Sequence, residues 1–451
     1  MIFQRCAFIF LFSSILHFVS FTQTISTVIE FYRGTKDTGS IITSIGNKKN
    51  MVYFYQDGIK NWENNLDGNK PNGLNAVWNE MGKLIYLSYF TDSLPDKKWA
   101  KWFPTGIKEY EKNYTIIYVE GQPKSVLNGI YMENYSNGSP KTRANYILGK
   151  KDGLYQTWFE NGFRKERIDY KEGFNSGKEE YWYENGKKES IRTYIIIKDS
   201  IGKKSVLNGL FIRYYSNGLK RDRSNYINGH REGLYKIWFE TGQINNVYHL
   251  KNGYDNGKRK LWYSNGIFAG EESLYGYKDS IYGTRMKYNG KYITNHQNGK
   301  PKERYQFKNG LKNGVQVDYH YNGRKNTVSF YKDNLQTGLQ VIYYTNGKVN
   351  DSTRYEIINR NDSIISVKQG YYVKYYDTGE MWETYNYKND LREGAYKSYF
   401  KNGKLSEDCI YQEGLKTGLS TIYNDNGSVR ETNIYKIVID ETGNKISVPS
   451  K

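Results

Sequence analysis

The sequence predicts an all-β fold, namely a single-layer, coiled antiparallel meander of tandem 24-residue β-hairpin repeats. Three observations support this prediction. Glycines recur along the chain every 24 residues, Asn-Gly pairs interrupt β-prone segments at the same spacing, and aromatic residues keep fixed positions between them. The composition agrees, because 46 Tyr and 44 Gly stand against only 7 Pro, and tyrosine favours strands whereas glycine favours turns.

One glycine in each repeat marks the turn of the hairpin. It occurs 15 times, in steps of 24, 24 and then 32 or 33 residues, so that three repeats form a superrepeat of 80 or 81 residues. The turn glycines are Gly58, Gly82, Gly106, Gly138, Gly162, Gly186, Gly218, Gly242, Gly266, Gly299, Gly323, Gly347, Gly379, Gly403 and Gly427. The repeat is therefore the plan of the whole chain.

Three further positions, numbered from the turn glycine as zero, confirm this spacing. Position −9 is glycine in 13 of 15 repeats, with Lys49 and Lys97 as exceptions. Position −4 is aromatic in 13 of 15, with Asn134 and Asn295 as exceptions, and position +8 is Tyr, Phe or Leu in all 15. The repeats therefore share one internal structure.

Each repeat is predicted to be one hairpin. The residue before the turn glycine is Asn in ten repeats, and Asn-Gly favours a two-residue type I′ turn with positive φ at both residues. Such a turn places position −9 opposite position +8. A glycine then faces a large ring, and we expect the ring to cover the exposed backbone of the glycine.

The period of two along a strand separates the side chains into two faces. Positions +8, −3 and −7 are predicted to share one face, and positions −4 and −8 the other. Six of the nine Trp occupy position −4 in the first nine repeats: Trp78, Trp102, Trp158, Trp182, Trp238 and Trp262. From the tenth repeat onward this position is Asn or Tyr. Strand twist should coil the sheet, which should be stabilised by cross-strand aromatic pairs.

The additional eight residues of each superrepeat lie between hairpins. The stretch YIIIKDSIGKKSVLNG at residues 194–209 is the clearest, and it predicts a longer hairpin arm. The chain ends within such an arm, where Pro449 would close the open edge of the sheet. We therefore predict that the hairpin array covers residues 23–434 and that a capping arm covers residues 435–451. The residues before the array, 1–22, are predicted to be a signal peptide for the reasons that follow.

The first residues are typical of a secretory signal peptide. Residues 7–19 are almost wholly apolar, and Ser20 and Thr22 supply small residues for cleavage after Thr22. The alternative is an uncleaved membrane anchor, because the apolar run approaches the ~20 residues of a spanning helix. We expect an exported protein, which is periplasmic, bound to the cell surface or secreted.

The net charge of +19 limits the kinds of partner that an exported protein of this composition would bind. It favours anionic envelope components or acidic proteins over nucleic acid, although lysines can also serve only to keep strand edges soluble. We expect a monomer without a transmembrane segment beyond the signal. The remaining cysteine, Cys409, has no intrachain partner after cleavage and is predicted to be structural.

The sequence does not predict an enzyme, a cofactor or a metal site. His296 and His320 are 24 residues apart, and strands two steps away lie ~9.6 Å apart, too far for one ion. The triplet Lys416-Thr417-Gly418 has no S-x-x-K partner, and GFNSGK at residues 173–178 is one residue too short for a phosphate loop. Both stretches belong to links between repeats.

The pattern Y-x-x-G-x-x-x-G-x-Y-x-x-W-F-x-N-G at residues 146–162 resembles the MORN repeat in its bacterial variant form. This resemblance covers nearly the whole chain after residue 22 and implies an extended hairpin array. Many bacterial members are YwqK-type antitoxin components, which implies neutralisation of a toxin by binding. Others are regarded as scaffolds or membrane-associated modules. The 80-residue superrepeat and the predicted export signal depart from that family.

The leading functional hypothesis is an exported scaffold that binds a protein partner, and the alternative is a binder of anionic envelope lipid or polysaccharide. Position −4 tolerates Asn, whereas position +8 never becomes polar, so the −4 row is less strictly structural. The candidate binding residues are Trp158, Trp182, Trp238, Trp262, Tyr214 and Tyr343. The competing interpretation is that this row only packs the second face of the sheet.

Export leads to a direct test. Protein isolated from the native host should lack residues 1–22, because a signal peptidase removes a cleavable signal. Intact-mass measurement decides this, and a mass that includes Met1 would instead indicate membrane anchoring.

Overall fold

The computed structural model of the chain describes residues 23–34, 36–279 and 283–450, with side chains outside residues 277–285. The predicted signal peptide lies outside the described residues. These residues form 38 strands, which are assigned to one open antiparallel sheet, and no helix. The predicted all-β hairpin array is confirmed.

The chain divides into two compact units between Ser176 and Gly177. The strands of the first unit are β1 (Ile25–Phe31), β2 (Thr38–Ile45), β3 (Lys48–Phe54), β4 (Lys60–Asp67), β5 (Lys70–Trp78), β6 (Leu84–Thr91), β7 (Leu94–Trp102), β8 (Lys108–Val119), β9 (Gln122–Leu127), β10 (Gly129–Asn134), β11 (Pro140–Ile147), β12 (Lys150–Lys151), β13 (Gly153–Trp158) and β14 (Arg164–Lys171). The boundary falls within β15 (Phe174–Trp182).

The second unit holds the rest of the strands. They are β16 (Lys188–Lys198), β17 (Lys203–Leu207), β18 (Gly209–Tyr214), β19 (Lys220–Ile227), β20 (His230–Trp238), β21 (Ile244–Lys251), β22 (Tyr254–Trp262), β23 (Phe268–Asp279), β24 (Gly283–Asn295), β25 (Pro301–Lys308), β26 (Leu311–Lys312), β27 (Gly314–Tyr319), β28 (Lys325–Lys332), β29 (Leu335–Tyr343), β30 (Val349–Arg360), β31 (Ser363–Lys368), β32 (Gly370–Tyr375), β33 (Met381–Lys388), β34 (Leu391–Tyr399), β35 (Leu405–Gln412), β36 (Leu415–Tyr423), β37 (Val429–Ile439) and β38 (Lys445–Pro449).

The additional residues of each superrepeat form the predicted long arms. At an arm the outgoing strand is long and pairs with two partners, as β8 does with β9 near the tip and with β10 near the root. Strand β16 pairs in the same way with β17 and β18, and β30 with β31 and β32. The last arm is the hairpin of β37 and β38, in which Pro449 lies opposite Tyr435.

The pairing predicted for the hairpins is confirmed in all 15 repeats. Position −9 lies opposite position +8 throughout, as in Gly153 opposite Tyr170 and Gly394 opposite Tyr411. The structure gives a reason for the glycine in its backbone conformation. A Cβ atom added to Gly153 or Gly394 would meet no atom within 4 Å, so lack of space does not require glycine there. Its φ is +90° at Gly153 and +80° at Gly394, a left-handed conformation that favours glycine.

The predicted type I′ turn is wrong. Gly162 donates to the carbonyl of Phe159 at 2.9 Å, and Phe159 donates to the carbonyl of Phe163 at 2.8 Å, which makes a three-residue loop. Gly162 has a φ of +87°, whereas Asn161 is not among the described residues with positive φ. A register shift after Thr157 adds one residue to the second strand. This bulge compensates for the longer loop, so the pairing expected for a two-residue turn is retained.

The turn asparagine joins consecutive turns instead of adopting positive φ. Its Oδ1 accepts a hydrogen bond from the backbone two residues on, as Asn322 does from Arg324 at 3.0 Å. Its Nδ2 donates to a carbonyl of the next turn, as Asn322 does to Thr345 at 2.7 Å. Among the described residues, the asparagines that make this second bond include Asn137, Asn185, Asn217, Asn265, Asn298, Asn322, Asn346 and Asn402.

The side chain at position −3 makes a parallel series of bonds. It reaches the backbone carbonyl of position −4 in the next repeat, as the hydroxyl of Tyr215 does to Trp238 at 2.9 Å. Nine residues occupy this role: Tyr55, Tyr135, Tyr183, Tyr215, Tyr263, His296, His320, Tyr344 and Tyr376. The two histidines in register therefore replace tyrosines in a structural position.

Most of the core is a thin layer of rings and small side chains on one face, and buried residues at position −6 of the other face, such as Ala100 and Val373, add to it. Tyr155 and Tyr170 pack edge to face at 5.9 Å, and Tyr396 and Tyr411 at 5.6 Å. Cys409 lies opposite Tyr396, is 2% exposed and packs in a cluster of buried residues with Tyr396. The thiol is thus fully buried, which suits the predicted structural role of Cys409.

The turn asparagines allow a matched test of the turn-to-turn bond. Asn322→Ala should lower the free energy of local opening by about 1 kcal/mol more than Asn426→Ala, because a net amide hydrogen bond contributes about that much. Asn426, in the last repeat, also accepts from the backbone two residues on, and a further bond from the Ser428 hydroxyl is removed beforehand by using Ser428→Ala as the background of this control. Both variants then lose the bond within the turn. Hydrogen exchange of peptides covering residues 315–349 and 419–435 measures both changes. Equal losses of protection would contradict the role of the turn-to-turn bond.

Burial predicts a chemically inert thiol. Desolvation, with a smaller contribution from Glu407, raises the pKa of Cys409 to about 11. Below that pH the thiol stays protonated, and only the thiolate is nucleophilic. At pH 8 iodoacetamide should alkylate native Cys409 at least roughly 100 times more slowly than a free cysteine of pKa ~8.5. Mass spectrometry checks this, with guanidinium-unfolded protein as the control that reacts fully.

Candidate binding face

The register assigns the strand positions of every repeat to two faces. The tyrosine face consists of positions −7, −5, +4, +6 and +8, and it contains most of the core. The tryptophan face consists of positions −8, −6, −4, +2, +5 and +7. All six predicted binding residues lie on the tryptophan face, with Trp158 in the first unit and the other five in the second.

The tyrosine face is filled by its own contacts. Arg392, from a link, lies 4.6 Å from the ring centre of Tyr385 and 5.3 Å from those of Tyr396 and Tyr411. Burial alone would lower the pKa of Arg392, but its hydrogen bonds to Tyr385 and Tyr411 outweigh that effect and raise it. This face therefore packs the sheet and leaves few groups for a partner.

The aromatic row at position −4 is half-buried. The six predicted residues are all of intermediate exposure, so the row is neither fully exposed nor fully buried. Lysines at position +2 cover part of the rings: Lys188 lies 5.3 Å from the ring centre of Trp182, and Lys220 lies 6.0 Å from that of Trp238. Trp262 instead packs edge to face on Phe268 at 5.5 Å. A partner would contact ring edges and the lysines together.

Exposed apolar side chains accompany this row at position −8, which sequence reasoning placed on the same face but did not propose for binding. The exposed members are Ile130, Leu154, Leu234, Val315, Leu339, Tyr371 and Leu419. Their exposed fractions run from 40% at Leu154 to 58% at Ile130. The alternation of apolar residues in the strands could have identified this second row.

The two faces differ in charge. The tryptophan-face positions hold 18 Lys or Arg against 6 Asp or Glu over the 15 repeats. Positions −7, −5, +4 and +6 of the tyrosine face hold 6 against 11, and basic side chains from the links offset that excess. The basic balance of the protein is therefore concentrated on the tryptophan face, where it favours an anionic partner.

Most carboxylates of the tryptophan face are paired with lysines. Glu180 lies 3.0 Å from Lys178 and 2.9 Å from Lys188. Burial alone would raise the pKa of Glu180, but the hydrogen bonds from Lys188 and Lys178 outweigh it and lower the pKa. These pairs fill the surface beside Trp182 and hold the lysines in place.

The described residues offer no group of three or more His, Cys, Asp or Glu that could hold a metal ion. In that same part of the chain, no helix has the length and apolar character to cross a membrane.

Comparison with known proteins supports the nature of the repeat. The MORN repeat variant family matches residues 176–195, 288–309 and 392–413, and each match covers one hairpin around its turn glycine. No curated protein matches the chain significantly.

Several solved structures align over most of the chain at very low similarity. A crystal structure of TcdB2-TccC3-Cdc42 is 9% identical over 92% of this chain and 29% of that one, with a TM-score of 0.12. A Tc holotoxin pore from Photorhabdus luminescens is 10% identical over 91% and 30%, with a TM-score of 0.11. This chain thus spans about three tenths of those toxin chains. A porin-like protein from Bacteroides uniformis is 8% identical over 77% and 94%, with a TM-score of 0.10.

Scores this low carry no structural or functional argument. The family matches identify the repeat, because each one covers the strand, turn and strand of a single hairpin. The chain therefore carries MORN-variant repeats.

Proposed function

We propose that this protein is an exported, non-enzymatic repeat scaffold that binds a protein partner through its tryptophan face. The observation that carries the proposal is the combination on that one face of half-buried tryptophans, exposed aliphatic side chains and 18 basic against 6 acidic residues. Aromatic residues and arginine are enriched where proteins bind each other.

The repeat itself argues for binding over catalysis. An active site is singular, whereas the chemistry of the tryptophan face recurs from one hairpin to the next. An array of similar surface groups suits an extended or multivalent partner, which gains affinity from several weak contacts. Neutralisation of a toxin, as in YwqK-type antitoxins, is the narrower form of this proposal.

The basic excess also favours a second candidate, which is binding of an anionic envelope lipid or polysaccharide. Tyrosine and tryptophan rings can stack on sugars, and lysines can pair with phosphate groups. The two candidates differ in their dependence on salt. Binding to a polyanion should fall steeply as the ionic strength rises, whereas a protein interface with a desolvated aromatic centre should be less sensitive.

The partner can be sought with mature protein as bait in the cell-envelope fraction of its own host. Trp182→Ser combined with Trp238→Ser should weaken partner binding by ~2 kcal/mol or more, about 30-fold in Kd, because rings at the centre of an interface contribute that much. The control, Tyr170→Ser combined with Tyr226→Ser, removes rings from the tyrosine face. It should lower the melting temperature more than the tryptophan variant does while binding is retained.

Two results would contradict the proposal. If the tryptophan variant captures the partner as strongly as the parent, the tryptophan face is not the binding surface. If both variants lose stability alike, position −4 is core.

A further inference from the structure

The roots of the long arms are four equivalent places on the tryptophan face. Each root lies where the third repeat of a superrepeat meets the first repeat of the next one. The same positions of the repeat, −8, −6, −4, +2 and +5, surround it. The turn glycines of these third repeats are Gly106, Gly186, Gly266 and Gly347.

At three of these roots a carboxylate lies between two lysines. Glu111 is 3.0 Å from Lys98 and 2.7 Å from Lys108, and its side chain is only 14% exposed. At the second root Glu180, from position −6 opposite +5, lies between Lys178 and Lys188.

The third root has the same chemistry. Glu271 lies 3.1 Å from Lys258 and 3.9 Å from Lys260. A paired charge and the adjacent tryptophan therefore fill the surface at each of the first three roots.

The fourth root lacks this ion pair. Position −8 is Leu339 instead of lysine, position +5 is Ser352, and positions −6 and +2 are Val341 and Val349. A cleft of about 670 Å³ opens here. Its apolar lining is completed by Tyr343 and by Tyr375, and Leu339 is 45% exposed. The place filled by charges elsewhere is thus an open apolar cleft.

Basic side chains lie beside this cleft. Arg354 lies directly across the strand pair from Leu339, its side chain is 61% exposed, and its Nε lies 3.8 Å from the carboxylate of Glu356. Lys348 lines the cleft from the turn. Lys325 holds the +2 position of the preceding repeat, the position from which Lys220 covers Trp238. An apolar cleft with a basic rim is complementary to an apolar side chain flanked by carboxylates.

We propose that the cleft at the fourth arm root binds an aromatic side chain within an acidic segment of the partner protein. This inference rests on the proposed protein-binding function, and it adds the chemistry of the segment and the place where it binds. Among the four roots only this one offers such a cleft, because the other three are closed by their own ion pairs.

The probe is the fluorescein-labelled peptide DEWED, measured by fluorescence anisotropy on the mature protein. The parent should bind DEWED at least about tenfold more tightly than DEAED, since only the indole can fill the cleft. The decisive variant combines Leu339→Lys with Ser352→Glu, which installs the ion pair of the first and third roots without changing the net charge. It should weaken DEWED binding by at least about tenfold.

The matched control combines Leu419→Lys with Thr432→Glu. It makes the same substitutions at the same positions of the last repeat, where Leu419 is 55% exposed, and should leave DEWED binding unchanged. Equal affinity for DEWED and DEAED, equal binding by the parent and the decisive variant, or no binding at 1 mM peptide would each overturn the proposal. The envelope capture with the tryptophan variant is a separate measurement, so failure of the cleft does not imply failure of the scaffold function.

Discussion

The hydrogen bonds between consecutive turns are the interaction on which the rest of the structure depends. The amide of an asparagine such as Asn322 and the side chain at position −3 each reach the backbone of the following repeat. Backbone pairing alone would hold neighbouring strands together, but it would tolerate a slip by two residues. Bonds from side chains to particular carbonyls remove that freedom. Each turn is therefore aligned with the next, and equivalent positions form rows.

Alignment of the rows decides how so thin a sheet is stabilised. A single layer cannot enclose a large core, so each side chain must find its contacts within the face to which it belongs. On the tyrosine face, rings such as Tyr396 and Tyr411 pack in register, and cross-strand pairs of this kind contribute about 0.2–1 kcal/mol each. The tryptophan face carries charged side chains, half-buried rings and exposed aliphatic residues. These groups remain available for contact with a partner.

The sequence was sufficient to predict the strand pairing, because position −9 is glycine in 13 of 15 repeats and position +8 is a large residue in all 15. It was not sufficient for the backbone at the turn. Asn161-Gly162 fits a two-residue turn and equally a three-residue loop with a compensating bulge, since both give the same pairing. The N-terminal hairpin of β1 and β2 lies within the predicted array but was not among the 15 predicted repeats. The register of this hairpin shifts after Glu30, and the pattern that marks the other repeats is weak there.

The candidate site shows why the periodicity of a repeat protein does not predict the features in which its repeats differ. Periodicity identified the row that contains Trp182 and Tyr343, and it treated the two as equivalent members. Their surroundings differ: Glu180 and two lysines fill the space beside Trp182, whereas Leu339 and Val349 leave a cleft beside Tyr343. The common rows supply stability and a broad basic surface. A distinguishable binding position can arise only where one copy of the superrepeat departs from the others, and the fourth arm root is such a departure.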